Sequence, residues 1–146
     1  AFLRVVEKVL ADPAHILWIN APGRFSDPRE RPVPIAPGMI RLPEIAPDAV
    51  FVPLALDYPF WSERKAEMLA AFGAPIPAGT LLEAPREARS ALLSDALAAV
   101  MEKLSADAIA RDPAAFQTLV QGQEGMGGIY QGWRRIKALL RGERLP

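Results

Sequence analysis

The chain has no cysteine and a single histidine, His15, in 146 residues. Without thiols it can form neither a disulfide nor a thiolate metal site, which fits a reducing compartment. One imidazole leaves carboxylates and water as the remaining metal ligands, so no transition-metal centre and no metal cofactor are expected. Neither sign of charge is in excess: Lys+Arg and Asp+Glu stand at 17 each. No global field draws the chain to nucleic acid or to a membrane, so any electrostatic function has to come from local clusters. Nucleic-acid binding is not expected, because only a basic tail speaks for it and clustered exposed aromatics are few. No apolar run approaches the roughly 18 residues that span a bilayer, and the N-terminus lacks a signal-peptide layout.

A hydrophobic content of 51% is ample for one core. The chain opens directly into Phe2-Leu3-Arg4-Val5-Val6-Glu7-Lys8-Val9-Leu10, with apolar residues at 2, 5, 6, 9 and 10 in helical spacing. That opening, with no leading methionine, suggests a cut through a longer protein. Asp12-Pro13 ends the helix, and His15 to Asn20 reads as a short strand. Ala21 to Pro47 holds seven of the fifteen prolines together with Arg24, Arg29, Arg31 and Arg41. This is a stiffened loop, with at most one short helix beginning near Gly38. Val50 to Leu56 is apolar throughout, as an inner strand buried on both faces would be, although Pro53 demands a bulge or an edge. Residues 66 to 72 favour helix by propensity, but Gly73-Ala74-Pro75 cuts the run short.

From about 85 to 110 the pattern is helical, with Leu93, Leu97, Val100, Met101, Leu104 and Ala108 on one stripe and Pro85 suited to the first turn. Arg86 reads as a solvated charge on this helix. Asp112-Pro113 is a cap followed by a first-turn proline, which predicts a short helix through Val120. Beyond a joint at Gly122, Gly125, Gly127 and Gly128, a last helix carries Ile129, Trp133, Ile136 and Leu140 on one stripe beside Arg134, Arg135, Lys137 and Arg141. It is expected to pack on the domain, with membrane contact as the secondary reading. Strand, loop, strand, strand and then helices make an α/β chain. About 1–84 forms a strand and loop region, and about 85–146 a helical one.

Chemistry concentrates in the loop. A guanidinium donates paired hydrogen bonds to phosphate oxygens, and a glycine lets backbone approach a ligand, so Gly23 with Arg24, Arg29 and Arg31 can hold a small anion. The same residues fit a surface loop in which Arg29-Glu30-Arg31 forms ion pairs, and composition leaves both readings open. Other candidates are weaker. Asp57 and Glu63 read as ordinary loop charges around Pro59 and Trp61. The Gly125-Met126-Gly127-Gly128 stretch follows no strand and so lacks the context of a phosphate cradle. Tyr58, Phe60 and Trp61 read as a core cluster.

The segment Asn20-Ala21-Pro22-Gly23-Arg24-Phe25-Ser26 resembles a block of the glycerophospholipid acyltransferase family, Phe-Pro-Glu-Gly-Thr-Arg-Ser, in keeping the glycine and the final serine. Pro22 stands where that block has its glutamate. A variant block, Gly-Glu-Phe-Arg-Asp followed by Arg-Glu-Arg-Pro, is closer to Phe25, Asp27 and Arg29-Glu30-Arg31-Pro32. The proline-containing strand Phe51-Val52-Pro53-Leu54-Ala55-Leu56 is similar to a second block, implied to support the acyl-donor or acceptor site from beneath.

The resemblance implies the C-terminal part of an acyltransferase-like domain. Its fold would be glycerol-phosphate acyltransferase-like, a mixed sheet flanked by helices and here incomplete, with a strand over 66 to 72. The implied activity belongs to phospholipid biosynthesis: transfer of an acyl chain from a thioester, acyl-coenzyme A or an acyl-carrier protein, to a lysophospholipid or glycerol-phosphate hydroxyl. Gly23, Arg24, Ser26, Arg29 and Arg31 would bind the substrate phosphate. The implied location is cytoplasmic and peripheral at the inner face of the membrane. Catalysis in the family is assigned to a His-x4-Asp pair, the histidine acting as general base on the acceptor hydroxyl. His15 has Asn20 at that spacing and opens the strand that the pair should precede. It therefore reads as a structural residue, and the catalytic pair is expected upstream of Ala1. The alternative is a catalytically inactive domain of the same kind that binds lipid or a membrane surface.

Overall fold

The structure, a computed structural model, describes residues 2–61 and 65–120, and within them Pro53 divides the apolar run into two strands of different sheets. Strand β1 (Val50–Phe51) pairs antiparallel with β4 (Ile76–Pro77), setting Val50 opposite Pro77 and Phe51 opposite Ile76. Strand β2 (Leu54–Asp57) pairs with β3 (Leu69–Phe72) in a second two-stranded sheet. Proline has no N–H to give to a ladder. Its carbonyl still accepts from Gly73 N at 2.8 Å. The chain thus changes partners at Pro53, where the sequence pointed to a bulge or an edge.

The α/β class holds, and the strand expected within 66 to 72 is present as β3. The inner strand buried on both faces is not: Ala55 is buried, while Val50, Val52 and Leu56 are exposed. Strands in sheets of two have open edges and at most one covered face, which is why the continuous apolar run does not translate into burial.

The described residues fall into two units, one built from Ala1–Leu56 and Ala70–Ser105, the other drawing on Asp57–Leu69 and the chain from Ala106 on. In the first unit, α1 (Phe2–Leu10) buries Val6 fully and leaves Phe2 and Val5 exposed. Gly38 precedes a 3-10 turn (Met39–Arg41) that runs into the short helix α2 (Leu42–Ile45), as the sequence suggested. Helix α2 packs against both α1 and α3 (Ala78–Glu83). Leu42, Pro43 and Leu81 are sealed between these elements. Fully burying a leucine stabilises by roughly 1.5–3 kcal/mol, so this small helical core anchors the loop that precedes it.

Helix α4 (Arg86–Ala110) runs over the predicted range. The Pro85 carbonyl accepts from Ala88 N at 2.9 Å and Arg89 N at 3.3 Å, so the proline stands just ahead of the first turn. Leu93, Val100, Leu104 and Ala108 are buried, and Leu97 and Met101 half-buried, so the stripe faces inward. Gly73 lies against this stripe: a Cβ there would stand 2.5 Å from Val100 Cγ2 and 3.2 Å from Pro53 Cβ. A side chain at 73 would separate β3 from α4.

In the second unit, the Trp61 indole Nε1 donates to the Ala108 carbonyl at 3.1 Å, and its ring meets Phe116 edge-on at 5.7 Å. The last turn of a helix leaves its carbonyls without intrahelical donors, and Trp61 supplies one from elsewhere in the chain. Arg111 follows the helix in the left-handed region at φ 53 and donates from NH2 to the Phe60 and Trp61 carbonyls at 3.1 and 2.7 Å. Of the expected aromatic core cluster only Trp61 packs; Tyr58 and Phe60 are exposed, because their side chains flank a turn whose backbone, not its rings, is held. Asp112 caps as expected, its side chain accepting from Ala114 N at 2.9 Å. The element it starts is a single 3-10 turn, Pro113–Ala115, and not a helix through Val120. Leu119 and Val120 are exposed, so nothing covers an apolar face that would carry the helix further. The glycine joint and the basic last helix with Trp133 lie outside the described residues. Among the described residues no helix is long and apolar enough to cross a membrane.

Candidate anion site

Two backbone turns build the loop. Gly23 N donates to the Asn20 carbonyl at 3.1 Å, with Gly23 in the left-handed region at φ +63. A Cβ at this position would also stand 2.9 Å from Ala36 Cβ. The tight passage is held from the other side by Ala36 N donating to the Ala21 carbonyl at 2.7 Å. Glycine is required here both for the backbone angle and for the space.

The second turn starts at Asp27, whose Oδ1 accepts from Arg29 N at 2.9 Å while Glu30 N donates to the Asp27 carbonyl at 3.0 Å. Aspartate at the head of a turn bonds the backbone two residues on, which fixes its direction. Ser26 lies half-buried between the two turns, and Phe25 beside it is fully exposed.

The three arginines have different partners. Arg29 grips Asp27 with Nε and NH2, both at 2.9 Å. Those side-chain bonds hold the Asp27 carboxyl at about 2, well below its ordinary 3.8, and raise the Arg29 guanidinium above its ordinary value. Arg24 reaches from the first turn to the second, where NH2 meets Glu30 Oε1 at 2.9 Å. Arg31 donates from NH1 to the Pro28 and Glu30 carbonyls at 2.9 and 3.0 Å, and its nearest carboxylate among the described residues is Glu102 on α4 at 3.9 Å. Gly23, Arg24, Ser26, Arg29 and Arg31 thus lie in one short segment, in which Asp27 is the counter-ion of Arg29 and Glu30 that of Arg24. The sequence left the ion-paired and anion-binding readings side by side; the geometry shows pairs, one of which ties the two turns together.

The segment before the loop is not a strand. His15 to Asn20 pairs with no other strand among the described residues, and Ile16 and Trp18 are 90% and 65% exposed. A short apolar run alone cannot make a strand, because its N–H and C=O groups need a ladder partner. His15 belongs instead to the end of α1. Its Nδ1 lies 3.1 Å from the Val9 carbonyl and its Nε2 3.8 Å from Asp12 Oδ2, with both side chains more than half exposed. Its carboxylate neighbour thus comes three residues before it, whereas the His-x4-Asp spacing places an acid at the fifth residue after it.

Arg86 is not a solvated charge. It binds Glu44 through Nε at 3.2 Å and NH2, and Arg89 joins the same carboxylate through NH1 at 2.8 Å. Hydrogen bonds from Arg86 and then Arg89 lower the Glu44 carboxyl below its ordinary value, and Glu44 raises Arg86 in turn. Arg89 is only 7% exposed and also donates to the Ala84 and Ile40 carbonyls at 3.2 and 3.4 Å. Its signal in the sequence is its register, four residues before Leu93 on the apolar stripe, where a charge has to bring a partner. Among the described residues no group of three histidine, aspartate or glutamate side chains could hold a metal ion. Compared with family models, with curated proteins and with solved structures, the chain matches none.

Proposed function

We propose that this chain supplies the phosphate-binding loop of an acyltransferase that moves an acyl chain from a thioester donor to a lysophospholipid or glycerol-phosphate hydroxyl. The observation that carries the reading is that two turns tied together by the Arg24–Glu30 pair, the first of them closed by the left-handed Gly23, carry Arg24, Arg29 and Arg31 in a segment that also exposes Ile16, Trp18 and Phe25. Cationic forks beside uncovered apolar side chains suit an amphipathic anion, a phosphate attached to an acyl chain. In the reaction, the acceptor hydroxyl attacks the thioester carbonyl; a C–O bond forms, the C–S bond breaks, and the hydroxyl proton passes through a base to the leaving thiolate. The His-x4-Asp base of such an enzyme is assigned to residues outside this chain, and the finer fold, one mixed sheet flanked by helices, is proposed for the chain together with those residues. The site is read as cytoplasmic, at the membrane surface.

A second reading, lipid or membrane binding without turnover, is favoured by the pairing of Arg24 and Arg29 with carboxylates of their own loop. The test is a titration with lysophosphatidic acid, its dephosphorylated monoacylglycerol as control, followed by thiol release from acyl-coenzyme A. Phosphate-dependent binding that Arg31→Ala weakens by about 1.5–3 kcal/mol supports the loop. Binding indifferent to the phosphate overturns it. The chain alone is expected to release no thiol, and release abolished by His15→Ala would move the catalytic base into it.

A further inference from the structure

We propose that Glu30 is a built-in competitor for the anion: its carboxylate occupies Arg24 in the free protein and is displaced when a phosphate monoester binds. The inference rests on the phosphate-loop reading above and adds a control to that site.

The two loop carboxylates are held very differently. Asp27 takes three hydrogen bonds from one residue, Arg29, through backbone N, Nε and NH2. That arrangement closes the turn, and an incoming anion would have to break two side-chain bonds to Asp27 before it could use the Arg29 fork. Glu30 touches Arg24 through a single oxygen, and the other Arg24 contact is a 3.5 Å bond from NH1 to the Phe25 carbonyl. The Glu30 backbone, in contrast, is fixed at both ends: its N–H donates to Asp27 O and its carbonyl accepts from Arg31 NH1. The side chain can swing into solvent while the turn stays in place. Its departure leaves the Arg24 fork open, while Arg31, the other arginine bound to Glu30, is oriented by two carbonyls and has no carboxylate nearer than 3.9 Å among the described residues.

A one-point carboxylate contact is weaker than a paired guanidinium–phosphate contact, so the exchange favours the phosphate. The exchange also selects by charge. A phosphate monoester brings nearly two negative charges and three free oxygens, enough to replace Glu30 and engage a second fork, whereas a phosphodiester or a carboxylate brings one charge and gains little over the group it expels. The site would thus prefer the monoester headgroup of a lysophosphatidic acid or glycerol phosphate over the diester headgroup of an ordinary phospholipid.

Glycerol phosphate and dimethyl phosphate serve as probes, titrated at low salt against the wild-type chain, Glu30→Gln, Arg24→Ala and Glu87→Gln, the last removing one negative charge from an exposed helix position. Glu30→Gln is expected to bind glycerol phosphate about fivefold more tightly, the factor equivalent to the upper worth of an exposed ion pair, and to gain measurable affinity for dimethyl phosphate. Glu87→Gln should leave both affinities near wild type, and Arg24→Ala should abolish the effect of Glu30→Gln when the two are combined. Wild-type binding of glycerol phosphate that Glu30→Gln does not change overturns the competitor role and leaves the loop reading standing. Equal gains in Glu30→Gln and Glu87→Gln reduce the effect to net charge and overturn it as well. No binding by any variant brings down both the competitor and the loop.

Discussion

Arg89 NH1 donates to Glu44 Oε1 at 2.8 Å across forty-five residues of chain. Through that bond the first turn of α4 is tied to α2, the short helix that follows the arginine loop. Arg89 is buried and satisfied by two carbonyls besides Glu44, whereas Arg86 shares the carboxylate from a half-exposed position.

Removing Arg89 strips three acceptors of a charged donor at once. Arg89→Ala is expected to lower unfolding stability by about 1.5–3 kcal/mol in urea titration. Arg86→Ala should shift the midpoint far less, since an exposed pair contributes little. Equal shifts would mean that burial does not distinguish the two guanidinium groups.

The Asp27 carboxyl should titrate near pH 2 when followed by NMR, against about 3.8 for a free aspartate. A folded-state value depressed below the unfolded one contributes stability that is present above about pH 4 and is lost as pH falls toward 2. Arg29→Ala should return the midpoint to the ordinary range. An unchanged midpoint would remove Arg29 as the cause.

Gly73→Ala forces a methyl against Val100 and the ring of Pro53. Overpacking of this kind costs typically about 1–3 kcal/mol. Because the closest obstacle is one methyl of Val100, the double variant Gly73→Ala/Val100→Ala should lose less stability than the sum of the single changes. Strict additivity in thermal unfolding would contradict the close approach.

Trp61→Phe keeps a ring beside Phe116 and deletes the donor to the Ala108 carbonyl. A net loss of about 0.5–1.5 kcal/mol is expected. Amide exchange should quicken over the last turn of α4 and stay unchanged around Leu93. Uniform exchange along the helix would show that the indole bond does not hold its end.

Helix α4 was legible because Leu93, Val100, Leu104 and Ala108 repeat at helical spacing and burial follows that spacing. The strand expected at His15 to Asn20 failed for a complementary reason: an apolar run describes one segment, and a strand is a property of two. Arg89 was obscured by its charge, which looks like a surface residue until Glu44 appears opposite it. In the loop the residue types could be read but not their partners. Asp27 and Glu30 lie between the arginines in sequence, so the same string fits an open cationic site and a closed set of ion pairs, and only the three-dimensional register of the two turns separates them.

The change of sheets at Pro53 also bears on how the chain behaves at high concentration. Val50 to Leu56 is uncharged and rich in β-formers, the composition from which stacked, fibril-like strands grow when an edge is long and regular. Among the described residues no strand exceeds four residues, one strand ends at Pro77, and the two halves of the run face different partners. A ring without an N–H in the middle of the segment denies an incoming chain a continuous row of donors to copy. The residue that interrupts the sheet therefore also guards the protein against self-templated aggregation.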